Sequence, residues 1–466
     1  MSGPDTQVRQ REFRKELGLR SLVMGQVLNI VGLTWVGVAA KLGPAHVAFW
    51  LLGIVLFYLP SAAVVIYLNR VHTLEGGLYE WARLGFNEFA GFLAAWNMWL
   101  NMLLIISFGG IQSLSGLVYV LGPSASWMAD SKWMNAGVTI LLMAAVMLVA
   151  LRGLGVAKWI QDLGGAFLII VFAALIALPF HNHVTGRPTE YPPFTLALPA
   201  ISVLSLNILG KMSFAALSGF DSMAIFAGEA RNAVKTIAWS VIIAAPIIAL
   251  MFVMGTSSVV ALVPKEKIDL VMPMSQALSL GTRPGDIGAS LIPLVLVALL
   301  YSLVASQVLT FGLTSRLPLV AGWDNLLPAW FGRLHPRYRT PVNSILFVGL
   351  AAFAVAMAAV AGSGQQEAFQ MLQNIGAIFY AIAYLMMFAL PLAGKQREIE
   401  QPPLWLRAAS VTGFIMTAIY LVLAVFPIID VPSPWIFTAK VGGFVLGCQL
   451  GGAALFWSYH RRAKRV

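Results

Sequence analysis

The sequence reads as an all-α integral membrane protein with twelve transmembrane helices. Composition points there first. Of 466 residues, 59% are hydrophobic and 11% charged, whereas soluble domains carry about 25% charged residues. Mean hydropathy is +0.82. Length of the apolar runs points the same way. About 20 apolar residues cross a bilayer core, and twelve such runs follow one another at 21–40, 46–68, 88–120, 134–151, 160–180, 200–229, 236–262, 288–314, 342–362, 368–393, 405–428 and 436–459. With the N-terminus inside, most Lys and Arg residues fall in alternate loops, including Arg9, Arg14, Arg70, Arg83, Arg152, Arg231, Arg316, Arg337, Arg397 and Arg462. Such a bias marks cytoplasmic loops. Both termini are therefore expected in the cytoplasm of a multi-pass cell-membrane protein. The net charge of +11 is a topology signal, and nucleic acid is not an expected partner.

Residues 1–20 form a polar cytoplasmic lead-in without the pattern of a cleavable signal. Run 1 carries Asn29-Ile30-Val31-Gly32-Leu33-Thr34, and Trp35 follows one residue later. After run 2 comes His72-Thr73-Leu74-Glu75-Gly76-Gly77-Leu78-Tyr79-Glu80-Trp81-Ala82-Arg83, whose Gly pair permits a close turn or a re-entrant chain. Run 3 is long, as a tilted helix requires. Its Asn97 and Asn101 share a face and either line a solute route or bond to a neighbouring helix. Run 4 is featureless. Run 5 opens near Lys158 and Asp162, spaced as an exposed i,i+4 ion pair. Run 6 carries Lys211 and then Ala216-Leu217-Ser218-Gly219-Phe220-Asp221. Run 7 leads to a polar outer loop at 263–287. Beyond run 8 lie Ser315-Arg316, Asp324-Asn325-Leu326-Leu327-Pro328 and His335-Pro336-Arg337-Tyr338-Arg339-Thr340-Pro341-Val342-Asn343, with Pro341 suited to open run 9. Runs 9 to 12 add no motif. Cys448 in run 12 is the sole cysteine, so neither a disulfide framework nor a metal cluster is expected.

Runs 1 and 6 share a small motif in which glycine, an apolar residue and a polar residue sit together at membrane depth. Broken helices are tolerated there only where the freed backbone is buried in protein or lines a cavity. Interruptions at matching places in two halves point to the binding site of a carrier. Gly32 and Gly219 lie five spans apart, as two five-helix repeats would place them. The expected organisation is a ten-helix core at 21–393, with repeats of about 21–180 and 200–393. Helices 11 and 12 occupy 394–459, and a cytoplasmic tail 460–466.

These motifs resemble those of the amino acid–polyamine–organocation transporter superfamily over nearly the whole chain. Glu75-Gly76-Gly77-Leu78-Tyr79 with Trp81-Ala82-Arg83 is similar to its Pro-Gly-Gly loop, with Glu75 in place of proline. The 315–343 segment resembles its loop between helices 8 and 9. Gly219-Phe220-Asp221-Ser222 and Gly228-Glu229-Ala230-Arg231-Asn232 resemble its helix 6 and the turn that leaves it. The resemblance implies an inverted five-plus-five repeat with broken helices 1 and 6, alternating access, and an amino acid or organic amine as the small-molecule substrate. It implies no cofactor beyond a proton or sodium gradient. At the usual Gly-Ser-Gly of helix 1 this chain has Gly32-Leu33-Thr34, so Leu33 and Thr34 depart from the pattern.

The candidate substrate residues are Asn29, Ile30, Gly32, Leu33, Thr34, Ser218, Gly219 and Phe220. Half-helix N-termini direct N–H dipoles at a carboxylate, and freed carbonyls accept from an ammonium. Close helix packing through small residues is the alternative for both glycines. Asp221 is the acidic residue most clearly at membrane depth. A carboxylate there needs a proton or a cation, so it is a candidate to carry a proton or meet a cationic substrate, with a structural hydrogen bond as the alternative. Lys211 is a candidate for the same coupling or gating set, with snorkelling to the interface the favoured reading. Trp35 is a candidate aromatic gate or a packing residue. Glu75, Arg83, Glu229 and Arg316 are candidates for inner-gate ion pairs or solvated loop charges. An enzyme is not expected, because His46, His181 and His183 sit at the outer edge and no nucleophile–base pair falls within the spans. A channel is disfavoured by the lack of a filter-like repeat.

Overall fold

A computed structural model describes residues 16–71, 77–186, 197, 201–282, 287–321, 327, 330–362, 364–398, 400–429 and 431–463. Glu75, Asp324-Asn325-Leu326 and Pro328 lie outside them. Among the described residues the chain is helical and irregular, with two isolated β-bridges, Leu17–Ala230 and Leu334–Pro341.

The first half consists of α1 (Leu19–Ile30), α2 (Leu33–Ala40), α3 (Gly43–Val71), α4 (Leu78–Gly85), α5 (Glu88–Leu121), α6 (Lys132–Arg152) and α7 (Leu154–Val184). Next come α8 (Val203–Ala216) and a 3₁₀ helix at Ser222–Glu229. Then follow α9 (Ala233–Leu262), α10 (Pro273–Leu280), α11 (Ile287–Val320), α12 (Val342–Gly362), α13 (Gln365–Ala393), α14 (Leu404–Leu423) and α15 (Pro434–Ala463). Local chemistry sets many boundaries. The Asn87 side chain accepts from Ala90 N at 2.9 Å to start α5. Ser131 does the same for α6 through Met134 N, and Ser202 with Ser205 forms a capping box on α8. Gly122 and Gly153, at φ 88° and 81°, end α5 and α6 in conformations that side chains disfavour.

Among the described residues, ten helices are long and apolar enough to cross a membrane, and α1 with α2, bent by 44°, passes the same test as a pair. The chain is therefore a multi-pass membrane protein. The run at 200–229 contributes no uninterrupted helix of spanning length. The chain leaves helical geometry at Leu217 and resumes it at Ser222, with Gly219 at φ +131° between them.

α5 and α13 form the centre: α5 packs along both α13 and α11, α7 packs along α11, and α1 lies across α7 and α9. α15 packs more sparsely, along one side of α13 and α5. Its Leu446 and Leu450, like Leu141 on α6 and Leu350 on α12, are exposed on the outer surface, where lipid replaces water as the solvent. Small residues allow the closest approaches. A Cβ on Gly164 of α7 would collide with Ala305 of α11, the kind of backbone contact on which membrane helices rely.

Two expectations change here. Lys158 and Asp162 do not pair along α7, because that face meets the start of α1. Lys158 Nζ instead reaches Glu16 Oε2 at 3.1 Å, and Asp162 Oδ2 accepts from Ser21 Oγ at 3.0 Å. Asn97 and Asn101 divide their roles: Asn97 bonds Gln449 of α15, and Asn101 lines a central cavity.

Gly164→Leu forces α7 from α11. Overpacking of this kind costs about 1–3 kcal/mol, so the detergent-purified variant is expected to melt several degrees below the parent. An unchanged melting temperature would contradict the tight α7–α11 contact.

A candidate substrate cavity between two helix breaks

The break between α1 and α2 is a tight turn. Val31 takes φ −76° and ψ 83°, and Gly32 N donates back to Ile30 O at 2.8 Å, the pattern of an inverse γ-turn. Gly32 itself has an ordinary φ of −83°. Glycine is needed there for space, since a Cβ would meet Trp35 Cδ1 at 2.7 Å. α2 then starts at Leu33, so the amides of Leu33 and Thr34 belong to the first turn, which an α-helix leaves without intrahelical partners.

The second break needs its glycine for conformation as well as space. Gly219 lies at φ +131°, and a Cβ there would meet Asn29 Nδ2 at 2.7 Å and Ile30 Cγ1 at 2.9 Å. Its neighbours take up the freed backbone groups. Tyr384 Oη accepts from Gly219 N at 2.8 Å, and Asn29 Nδ2 donates to Gly219 O at 3.1 Å. Gln26 Nε2 donates to Phe220 O at 3.3 Å. Just before the break, Lys211–Ala216 winds as a π-helix against a second π-helical turn, Ile54–Tyr58 of α3. Such turns recur at functional sites.

Asp221 is fully buried. Its Oδ1 accepts from Tyr380 Oη at 2.6 Å and from Tyr384 Oη at 2.7 Å, and Ser222 Oγ lies 3.2 Å from Tyr380 Oη. Its Oδ2 is buried and, among the described residues, has no hydrogen-bond partner. Tyr384 thus joins the broken backbone at Gly219 to the Asp221 carboxylate.

Both breaks face one cavity of about 140 Å³, far above the roughly 10–15 Å³ that a single water needs. Asn29, Ile30, Gly32, Leu33, Thr34, Trp35, Ser218 and Gly219 all line it. Three of the other candidates do not. Phe220 is turned away and stacked on Tyr58, with centroids 4.9 Å apart. Asp221 lies outside the lining and bonds the Tyr380 hydroxyl, while Tyr380 itself is a lining residue. Lys211 does not snorkel: it is completely buried, and its Nζ donates to Asn374 Oδ1 of α13 at 2.6 Å. The expectation of free backbone at Gly219 also changes, because its N–H and C=O are both bonded within the protein.

Of the gate candidates, Glu229 and Arg316 meet in a buried pair at 2.9 Å. Glu229 O also accepts from the amides of Glu16 and Leu17 at 2.9 and 3.0 Å, tying the chain before α1 to the end of the 3₁₀ helix. Arg83 pairs with Glu80 on its own helix, and Glu75 lies outside the described residues. Gly77, at φ 59°, lies close against Ala224.

Sequence reasoning missed Tyr380 and Tyr384, as well as Gln112, Ser302, Ser306, Gln307, Thr310 and Gln373 in the cavity wall. A signal was present in helical spacing. Tyr380 and Tyr384 are i,i+4, and Ser302, Ser306 and Thr310 form one polar stripe on an apolar helix.

Helix breaks that meet at a buried cavity inside a bundle of membrane-length helices define a carrier of small solutes. The Amino acid permease family model matches residues 17–446. The chain belongs to that family and is a membrane transporter of a small molecule. It is similar to an uncharacterized transporter of Legionella pneumophila, with 23% identity over 84% of this chain and 83% of that one. It is also similar to a probable agmatine/putrescine antiporter of Lactococcus lactis, with 24% identity over 89% and 86% of the two chains. A chloroplastic cationic amino acid transporter of Arabidopsis thaliana is 22% identical over 59% of this chain and 48% of its own length.

Gly219→Ala places a side chain where φ and space both forbid one. Strain of this kind costs on the order of 1–3 kcal/mol, and uptake by the reconstituted variant is expected to fall at least about tenfold. Gly442→Ala on α15, which meets nothing within 4 Å, is expected to transport as the parent does. Equal uptake by the two variants would remove the Gly219 turn from the site.

Proposed function

We propose that the chain is a secondary active amino acid permease of the cell membrane that works by alternating access. The observation that carries this is the meeting of both helix breaks at one cavity. The Leu33 and Thr34 amides at the start of α2 are oriented to hold the substrate carboxylate, with the helix dipole adding to the attraction. Carbonyls freed at the ends of α1 and α8 accept from the ammonium. In this reading α1 with α2 is span 1, and α8 with the Ser222–Glu229 helix is span 6. Twelve spans result, with an inverted five-plus-five repeat followed by α14 and α15. Both termini lie in the cytoplasm, and the protein does no covalent chemistry.

Coupling falls to Asp221. One carboxylate oxygen is held by two tyrosines and the other has no partner among the described residues, so gain or loss of a proton changes the bonds that join the second break to α13. A proton gradient is the proposed drive, with substrate exchange and a sodium gradient as the other modes. The Glu229–Arg316 pair and its tie to the segment before α1 close the cytoplasmic side, and Trp35, set against Gly32, covers the first break. An amine substrate, as in the name of the Lactococcus relative, is the second reading of the same site.

Purified protein in liposomes, with proton and sodium gradients imposed separately, is expected to show saturable amino acid uptake that follows the pH gradient. Asp221→Asn is expected to abolish that pH dependence while leaving exchange measurable. Unchanged pH dependence in the variant would exclude Asp221 as the coupling group, and non-saturating flux would exclude a carrier.

A further inference from the structure

Beyond the two breaks, the cavity wall carries four side-chain carboxamides from three helices: Asn101 and Gln112 of α5, Gln307 of α11 and Gln373 of α13. Asn101 and Gln112 stand eleven residues apart, three helical turns along one face. All four are more than nine-tenths buried, at 6%, 7%, 4% and 7% exposure in that order. Side chains so buried normally find hydrogen-bond partners. These largely do not. Among the described residues the side chains of Asn101, Gln112 and Gln373 make no hydrogen bond to protein. Gln307 Oε1 is buried without a partner among the described residues, and Gln307 Nε2 makes only a 3.4 Å hydrogen bond to Ile105 O. The hydroxyls of Ser302, Ser306 and Thr310 in the same wall are, by contrast, committed. Ser302 donates to Gly164 O at 3.0 Å, Ser306 to Leu28 O at 3.2 Å and Thr310 to Ser306 O at 3.0 Å. Away from the two breaks, the open hydrogen-bonding capacity of the wall is therefore concentrated in neutral amides, each able both to donate and to accept.

Among the described residues no Asp, Glu, Lys or Arg lines the cavity. The nearby carboxylate, Asp221, lies outside the lining with one oxygen committed to two tyrosines. A substrate carrying a second positive or negative charge would leave that charge buried among neutral side chains with no counter-charge, which is costly. A purely aliphatic side chain would leave the amides without partners, which is costly too. We infer that the cavity takes a zwitterionic amino acid with an uncharged, hydrogen-bonding side chain, a carboxamide or hydroxyl, read by Asn101, Gln112, Gln307 and Gln373. This assignment rests on the amino acid permease reading of the same cavity.

The test is ligand-dependent thermal stabilisation of the full-length purified protein, paired with counterflow in liposomes. The probes are glutamine, asparagine, serine, leucine, glutamate, arginine, agmatine and putrescine. Glutamine, asparagine or serine is expected to bind at least about tenfold more tightly than any charged or aliphatic probe. Gln373→Leu is expected to weaken that ligand about threefold to tenfold, the share of one neutral hydrogen bond, and to leave leucine unweakened. If the variant does not fold, the panel on the parent protein decides. Tighter binding of arginine, agmatine, putrescine, glutamate or leucine would overturn the inference and leave the transporter standing. Failure of every probe to bind or exchange would overturn the amino acid permease reading and the inference with it.

Discussion

Backbone amides and carbonyls inside a bilayer find no water, so a helix that breaks there must pass its freed groups to other partners. Much of this protein's interior is arranged around that requirement at the second break. Gly219 gives its N–H to Tyr384 and its C=O to Asn29, and Phe220 gives its C=O to Gln26. Three helices are thereby committed to one turn: α1 through Gln26 and Asn29, α13 through Tyr384, and α8 through the chain itself. The first break is satisfied more simply, by a γ-turn within its own stretch of backbone. That leaves the start of α2 exposed to the cavity. The two breaks are thus unequal, one locked by side chains and the other presenting amides that are unpaired among the described residues.

This inequality has mechanical consequences. Tyr384 serves the Gly219 amide and the Asp221 carboxylate together, so any change at the carboxylate is felt at the backbone turn and along α13. At the other end of the Ser222–Glu229 helix, Glu229 is held by Arg316 of α11, and its carbonyl is held by the chain leading into α1. The short 3₁₀ helix therefore connects a buried carboxylate beside the cavity to an ion pair at its other end. Breaking one partner of such a buried pair is costly, about 3–5 kcal/mol. A transporter that opens there must supply new contacts as it does so.

The membrane class was legible because lipid imposes long apolar runs, and the helix ends in the structure fall within a few residues of those runs. Both glycine turns were legible too, since glycine beside polar residues at membrane depth marks a place where a helix can break. What periodicity could not supply was facing. Phe220 follows Gly219 directly yet points to Tyr58, and Lys211 looked like a snorkelling residue yet is buried against Asn374. The amide wall stayed hidden for the same reason. Gln112, Gln307 and Gln373 lie on three helices far apart in sequence, and only the packing of α5, α11 and α13 brings them to one cavity.

Whether the two breaks form one substrate site is tested most directly by thiol protection. Cys448 is the only cysteine and lies outside the cavity lining, so Cys448→Ser provides a background free of thiols. Into it, Thr34→Cys and Ser218→Cys place one thiol at each break in separate proteins. With a single shared site, a transported amino acid slows labelling by a membrane-permeant maleimide at both positions, with the same half-saturating concentration. Protection at only one break, or at neither under saturating substrate, would contradict it.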